Sequence, residues 1–297
     1  MAIKDLETEQ RNPASMHLDT MTTLEMVETI NREDQKISQA VHQAAPVIAK
    51  TIDRAASRYA RGGRLIYIGA GTSGRLGVLD AVELVPTYGI KKERAIGLIA
   101  GGEQAMYQAV EGAEDDLTLA SQDLKAIDLS SNDVVFGLAA SGRTPYVIGG
   151  LDYARRKGAL AVAIACVPHS VIGTHADLAI EAVTGPEVVT GSTRMKAGTA
   201  EKMILNMIST GVMVRQGKVY QNVMIDVQPT NQKLIDRAIR IIMTTTGVDE
   251  KEAGSVLQKA DRNVALAIVM AKTGSSVQAA RQLLERHHGR VGEVLKS

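Results

Sequence analysis

The chain has 297 residues, and its 34 basic and 33 acidic side chains give a formal net charge of +1, which argues against bulk attraction to nucleic acid or an anionic membrane. Seven Tyr, one Phe and no Trp argue against base-stacking surfaces, and the single cysteine, Cys166, excludes a disulfide framework and a cysteine-rich zinc site. Since the N-terminus is polar and no apolar run reaches the roughly 18 residues of a membrane span, we expect a cytoplasmic protein without a membrane or nucleic-acid partner.

The N-terminal segment predicts an irregular arm followed by two helices. Residues 1–20 have no apolar periodicity. Helical spacing then begins, and Thr22 or Thr23 is suited to cap the first helix. Pro46 suits the first turn of a second helix, which runs toward Gly62.

Strands and helices alternate in the middle of the chain. Short, almost continuous apolar runs are typical of strands that are buried on both faces. Four such runs occur, at 64–69, 95–100, 133–139 and 159–165. A fifth strand is predicted near 178–183. Helical spacing fills the intervals, at 76–84, 105–127 and 144–156. The alternation predicts an α/β fold with a doubly wound, mostly parallel sheet flanked by helices.

The remainder of the chain reads as helical. A long helix is predicted over 194–215, and three helical stretches follow Val227, at 231–245, 249–258 and 263–287, with a break near Gly274. We therefore predict two domains: residues 1–230 with the sheet, and residues 231–297 as a small all-helical bundle.

The loop after the first strand has the composition of an anion site. In an open parallel sheet, ligands bind at the carboxyl ends of the strands. Gly71, Thr72 and Ser73 lie there, and they offer backbone amides, two hydroxyls and the start of a helix. The G-x-G-x-x-G spacing by itself is a weak dinucleotide signal, and the second strand ends in Ala100 and glycines rather than in an acidic residue. The loop therefore fits a single phosphate better than a pyrophosphate.

Two further loops repeat this chemistry. The third strand is followed by hydroxyls, a glycine and a cation ahead of a helix, and the long helix near 194 opens on hydroxyls and cations. The candidate phosphate ligands in these loops are Ser141, Gly142, Arg143, Thr144, Ser192, Thr193 and Lys196.

The loops and several longer strings resemble known families. Gly-Thr-Ser-Gly and Ser-Gly-Arg-Thr after the first and third strands resemble the sugar isomerase (SIS) fold, which binds phosphosugars. Longer strings resemble the N-acetylmuramic acid 6-phosphate etherase family: GAGTSGRLGVLDAVE at 69–83, GLIAGG at 97–102, AVEGAEDD at 109–116, TGSTRMKAGTA at 190–200 and TEQRNPAS at 8–15. Together they extend over nearly the whole chain.

The resemblance implies a reaction and its residues. Members of the family convert N-acetylmuramic acid 6-phosphate to N-acetylglucosamine 6-phosphate and D-lactate by eliminating lactate and adding water. The resemblance places the catalytic pair at Glu83, as the acid that protonates lactate, and at Glu114, as the base at C2. It implies no metal and no cofactor.

The separation of Glu83 from the first loop needs an explanation. Ten residues of continuous helix would place Glu83 roughly 15 Å beyond Ser73, more than the span between the reacting groups of one sugar. Either the helix begins late, or Glu83 serves a site completed by another subunit. We favour a homodimer with the site at the subunit interface.

Two other functions use the same loops. An aldose–ketose phosphosugar isomerase would bind the phosphate in the same way and release no lactate. A non-catalytic phosphosugar sensor would bind the ligand and regulate a partner. Release of D-lactate separates the etherase from both alternatives.

Overall fold

The computed structural model describes residues 7–226 and 231–296 and divides them between two units. The first unit comprises the described residues of Met1–Val82 and Lys92–Ser209, and the second comprises those of Glu83–Lys91 and Thr210–Ser297. The sequence pattern predicts a boundary at residue 231. The main part of the second unit begins earlier in the chain, at Thr210, within the helix that contains this residue.

A five-stranded parallel sheet forms the centre of the first unit. The strands are β1 (Leu65–Gly69), β2 (Ala95–Ile99), β3 (Val134–Leu138), β4 (Leu160–Ala165) and β5 (Leu178–Glu181). Their order is β2-β1-β3-β4-β5, and every neighbouring pair is parallel. All residues of β1, β3 and β4 are buried. The predicted doubly wound sheet is therefore confirmed, with its five strands in the predicted places.

Helices flank this sheet. They are α1 (Thr23–Gln43), α2 (Ala45–Ala60), α3 (Gly71–Tyr88), α4 (Leu119–Ala126), α5 (Pro145–Arg156), α6 (Val171–Thr174) and α7 (Lys196–Arg215), of which α3 and α7 continue into the second unit. Thr22 caps α1 in a capping box with Glu25, which selects it over Thr23. Short 3-10 turns occupy the segment predicted as an irregular arm, at Glu7–Glu9, Pro13–Ser15 and Leu18–Thr20.

The helix predicted over 105–127 is wrong in its first half. Only 3-10 turns, Glu103–Met106 and Ala113–Asp115, lie between β2 and the start of α4 at Leu119. Gly112 has a φ of 75°, in the left-handed region, which stops an α-helix from running through it. The apolar spacing that predicts a helix continues through Gly112, but the backbone leaves the helical conformation at this residue.

The second unit is mainly helical and has its own apolar core. A two-stranded hairpin, β6 (Val219–Tyr220) with β7 (Val223–Met224), precedes α8 (Gln232–Thr246), α9 (Glu250–Lys259), α10 (Val264–Thr273), α11 (Val277–Arg286) and α12 (Val291–Val294). The side chains of Asn231, Asp249, Asn263 and Ser276 cap the first four of these helices. The break near Gly274 is confirmed, because this glycine ends α10 in the left-handed conformation. The hairpin is absent from the sequence prediction.

Candidate functional site

The first candidate loop is the N-terminus of α3. Gly71 opens this helix with a φ of 53°, and the Gly74 amide donates to the carbonyl oxygen of Ala70 at 3.1 Å. The amides of residues 71–73 precede this bond, and the first amides of a helix have no acceptor within it. A Cβ on Gly74 would lie 2.6 Å from the carbonyl oxygen of Gly69, so only glycine permits this tight connection. The alternative of a late helix start is wrong, because α3 begins at Gly71.

Ser73 is bonded to a buried carboxylate from α7. Its Oγ lies within hydrogen-bond distance of both carboxyl oxygens of Glu201, at 2.8 Å from Oε1 and 2.9 Å from Oε2. Glu201 is fully buried, and burial raises its pKa to about 8 although the hydrogen bond from Ser73 opposes the rise. Its carboxyl group is therefore mainly protonated at neutral pH. Sequence reasoning missed Glu201, although a glutamate within the apolar stripe of Ala197, Ile204 and Ile208 is a signal of a buried acid.

The loop after β3 lies beside the first loop, because β1 and β3 are neighbours in the sheet. Gly142 has a φ of 71°, and a Cβ there would lie 2.7 Å from the Cβ of Ser170. Thr144 is the N-cap residue of α5, but its side chain makes no capping bond. Nη1 of Arg143 is buried and has no hydrogen-bond partner among the described residues. This loop, with the half-buried Ser141, therefore keeps polar groups for a ligand.

A cavity of about 240 Å³ opens between the ends of β1 and β2. Gly71 and Glu114 both line it, so the structure brings one predicted catalytic residue to the first loop. Glu114 is exposed on the 3-10 turn Ala113–Asp115. Arg75 also lines the cavity, but its guanidinium donates to the carbonyl oxygens of Met106 at 3.0 Å and Ala105 at 2.7 Å. Arg75 thus holds the cavity wall in place.

The start of α7 already has an internal carboxylate. Glu187 accepts the amide hydrogens of Lys196, at 3.0 Å, and Ala197, at 2.9 Å. An anion at a helix N-terminus satisfies the open amides there, and Glu187 fills this role. Ser192 and Thr193, both half-buried, precede this turn. The third predicted anion site therefore differs from the first two.

The side chain of Lys196 is buried in the interior of the first unit. Its side chain is 2% exposed, and Nζ lies 2.8 Å from Oε2 of Glu33 on α1. Burial would raise the pKa of Glu33, but hydrogen bonds from Lys196, Lys36 and Asn12 hold it at about 2. The ammonium group of Lys196 is thus neutralised by a carboxylate of the same chain.

Glu83 lies on an exposed part of α3. Leu79 and Val82, which precede it, are 49% and 61% exposed. Residues 83–91 belong to the second unit, whereas Glu114 belongs to the first.

Glu181 and His175 lie near the ends of β4 and β5 and make contacts that hold loops. Glu181 accepts the amide hydrogens of His169 and Ser170. Nδ1 of His175 lies 2.8 Å from Oδ1 of Asp152. Among residues 7–226 and 231–296, no three His, Cys, Asp or Glu side chains are grouped to hold a metal ion, and no helix is long and apolar enough to span a membrane.

The fold and the two open loops define a SIS-domain protein. The SIS domain model matches residues 110–210, the N-terminal SIS domain of glucokinase regulatory protein matches 47–155, and the C-terminal lid domain of that protein matches 221–261. A Bacteroides fragilis structure described as a phosphosugar isomerase involved in capsule formation shares the fold, at 21% identity and a TM-score of 0.50, over 64% of this chain and 91% of its own.

Full-length relatives are far more similar. The N-acetylmuramic acid 6-phosphate etherase of Lactobacillus gasseri is 69% identical over 99% of both chains. That of Lactobacillus acidophilus is 66% identical over 100% of both chains, and etherase 1 of Enterococcus faecalis is 54% identical over 99% of this chain and 98% of its own. The chain belongs to the N-acetylmuramic acid 6-phosphate etherase family.

Proposed function

We propose that this protein cleaves the D-lactyl ether of N-acetylmuramic acid 6-phosphate, forming N-acetylglucosamine 6-phosphate and D-lactate. The observation that carries the proposal is the 69% identity to an etherase along 99% of the chain. The cavity supports it, since a carboxylate, Glu114, and a helix N-terminus at Gly71 line the same space. The proposal includes a role in amino-sugar recycling and a cytoplasmic location, because a charged phosphate ester stays on the side of the membrane where it is formed.

The proposed reaction proceeds by elimination and addition. In the ring-opened sugar the C1 aldehyde makes the C2 proton acidic. A base removes that proton, the bond from C3 to the lactyl oxygen breaks, and an acid protonates the departing oxygen. Water then adds at C3 of the unsaturated aldehyde, and C2 regains a proton. The chemistry needs a base, an acid and water.

The proposed phosphate site comprises the loops that follow β1 and β3. The amides of Gly71 and Thr72 and the hydroxyl of Ser73 face an anion at the start of α3. The neighbouring loop adds Ser141, Gly142, Arg143 and Thr144, with Arg143 supplying the positive charge. The Gly142 amide donates to the carbonyl oxygen of Ala139 at 2.8 Å, so Gly142 contributes its tight turn and not a free amide. Ser192 and Thr193 contribute hydroxyls from the third loop. Lys196 is left outside this proposal, because its ammonium group is bonded to Glu33.

Glu114 is proposed as the base at C2 and Glu83 as the acid for lactate. Glu114 lies in the cavity beside α3. Ten residues of continuous helix separate Glu83 from Ser73, about 15 Å, so we propose that Glu83 acts in the site of a second copy of the chain. The exposed Leu79 and Val82 support a homodimer contact at this helix, since its burial would remove apolar surface from water.

Assay of D-lactate released from N-acetylmuramic acid 6-phosphate tests the function, and no lactate would contradict it. In ¹⁸O-labelled water, the label is expected at C3 of the sugar and not in lactate. Glu114→Gln should lower turnover by about 10²-fold or more, as loss of a general base does, whereas the neighbouring Asp115→Asn should retain it. An isomerase would form a ketose without lactate, and a sensor would bind without product.

The shared site has its own test. Mixing Glu83→Gln with Glu114→Gln protein should restore part of the activity, because a mixed dimer contains one site with both carboxylates. A mixture as inactive as its components would contradict a site shared between subunits.

A further inference from the structure

The Ser73–Glu201 pair joins a proposed phosphate ligand to a group that can change its protonation state. The Ser73 hydroxyl lies in the first turn of α3, and Glu201 lies behind it on α7. Glu201 is fully buried and Ser73 is 8% exposed, so the hydrogen bond between them is shielded from bulk water. The side-chain hydrogen bonds of Glu201 within the described residues go to Ser73 alone.

Within residues 7–226 and 231–296, no Lys, Arg or His forms an ion pair with the Glu201 carboxyl group. The groups that face it are the Ser73 hydroxyl from α3 and the Cys166 thiol that follows β4, and the pKa of that thiol is raised well above its ordinary value by burial, with Glu201 and Glu187 adding to the rise. Lys202, the neighbour of Glu201 on α7, is exposed. An ionised carboxylate without a counter-charge is costly in such a setting, so the proton stays on Glu201 at neutral pH.

The proton on Glu201 determines what Ser73 offers to a ligand. When Glu201 is ionised, it can only accept, and the single hydroxyl hydrogen of Ser73 points toward it. Ser73 then presents lone pairs to an incoming anion. When Glu201 is protonated, its own O–H donates to Ser73 Oγ, and the Ser73 hydrogen is free to donate to a phosphate oxygen.

We propose that Glu201 is a positioning residue that directs the Ser73 hydroxyl toward the substrate phosphate, so that a phosphosugar binds the form of the protein in which Glu201 carries its proton. This inference rests on the proposed function, because it takes Ser73 as a phosphate ligand. It makes phosphate affinity dependent on pH in a range where the phosphate itself no longer titrates, since a phosphate monoester has its second pKa near 6.

The test is calorimetric titration with N-acetylglucosamine 6-phosphate between pH 7 and pH 9. With a Glu201 pKa of about 8, the Kd should be about tenfold higher at pH 9 than at pH 7, and binding at pH 8 should take up about half a proton. Proton uptake is measured by repeating the titration in buffers with different ionisation enthalpies. A Kd that stays constant, or zero proton uptake, would overturn the inference.

Two variants and a control assign the effect. Glu201→Gln should bind with a Kd that is independent of pH, because its amide donates to Ser73 at every pH, and Ser73→Ala should bind more weakly at pH 7 and also lose the pH dependence. Lys202→Gln, an exposed change on the same helix, should keep the wild-type profile. A tenfold rise that persists in Glu201→Gln would assign the titration elsewhere and overturn the inference. If Glu201→Gln does not fold, the wild-type proton uptake decides.

Ligand binding and turnover separate this inference from the proposed function. Proton-linked binding without lactate release would contradict the etherase and support the role of Glu201. Lactate release together with binding that is independent of pH would support the etherase and contradict the role of Glu201.

Discussion

The buried ion pair between Lys196 and Glu33 allows a quantitative test of what Lys196 does. Replacement by Met keeps the length of the side chain and removes its charge. Lys196, Lys36 and Asn12 together lower the pKa of Glu33 from 4.5 to about 2, a net effect of about 3 kcal/mol to which Lys196 makes the largest contribution. Loss of one partner from a buried pair costs about 3–5 kcal/mol, which agrees. Lys196→Met should therefore destabilise the protein by about 3 kcal/mol and lower its Tm by about 5 °C.

Thermal unfolding followed by circular dichroism measures this loss. Lys202→Met, an exposed change on α7, is the matched control and should alter stability by about 0.5 kcal/mol or less. A cycle with Glu33→Gln and the double variant isolates the pair energy. At a temperature where Lys196→Met is folded, it should bind N-acetylglucosamine 6-phosphate with the wild-type Kd. An unchanged Tm together with a tenfold weaker Kd would refute this reasoning and make Lys196 a phosphate ligand.

Three further predictions concern charged groups of the first unit. Arg143→Ala should raise the Kd of the phosphosugar by about 10–100-fold, because a charge-assisted bond contributes about 1.5–3 kcal/mol, while Tm changes little. Glu187→Ala should lower the free energy of unfolding by about 2 kcal/mol, measured in urea, because two amides at the start of α7 lose their acceptor. Since the folded pKa of Glu33 is depressed, its contribution to stability is present above pH 4.5 and is lost as pH falls toward 2. Acid unfolding of Glu33→Gln should therefore be less steep in this window, and equal slopes would contradict the assignment.

The sequence patterns predicted most of the fold because the signals are local. Apolar runs predict β1 to β5, and Thr22 or Thr23 predicts the start of α1, where the structure has Thr22 as the cap. The same reasoning failed between β2 and α4, where apolar spacing continues through Gly112 although the backbone turns there. The hairpin of β6 and β7 was missed, because two residues per strand are too few to show a period.

The sequence by itself determined the α/β alternation, the two glycine loops at neighbouring strand ends and the family to which their strings belong. Only the tertiary structure decided which polar groups remain open to a ligand. Lys196 meets Glu33 across 163 positions, and Ser73 meets Glu201 across 128. In the sequence, a loop with hydroxyls and cations indicates an anion site. The sequence does not show whether a carboxylate from a distant part of the chain already bonds to those groups. Packing brings those carboxylates into place. It neutralises Lys196, and it leaves Nη1 of Arg143 without a hydrogen-bond partner among the residues that the structure describes.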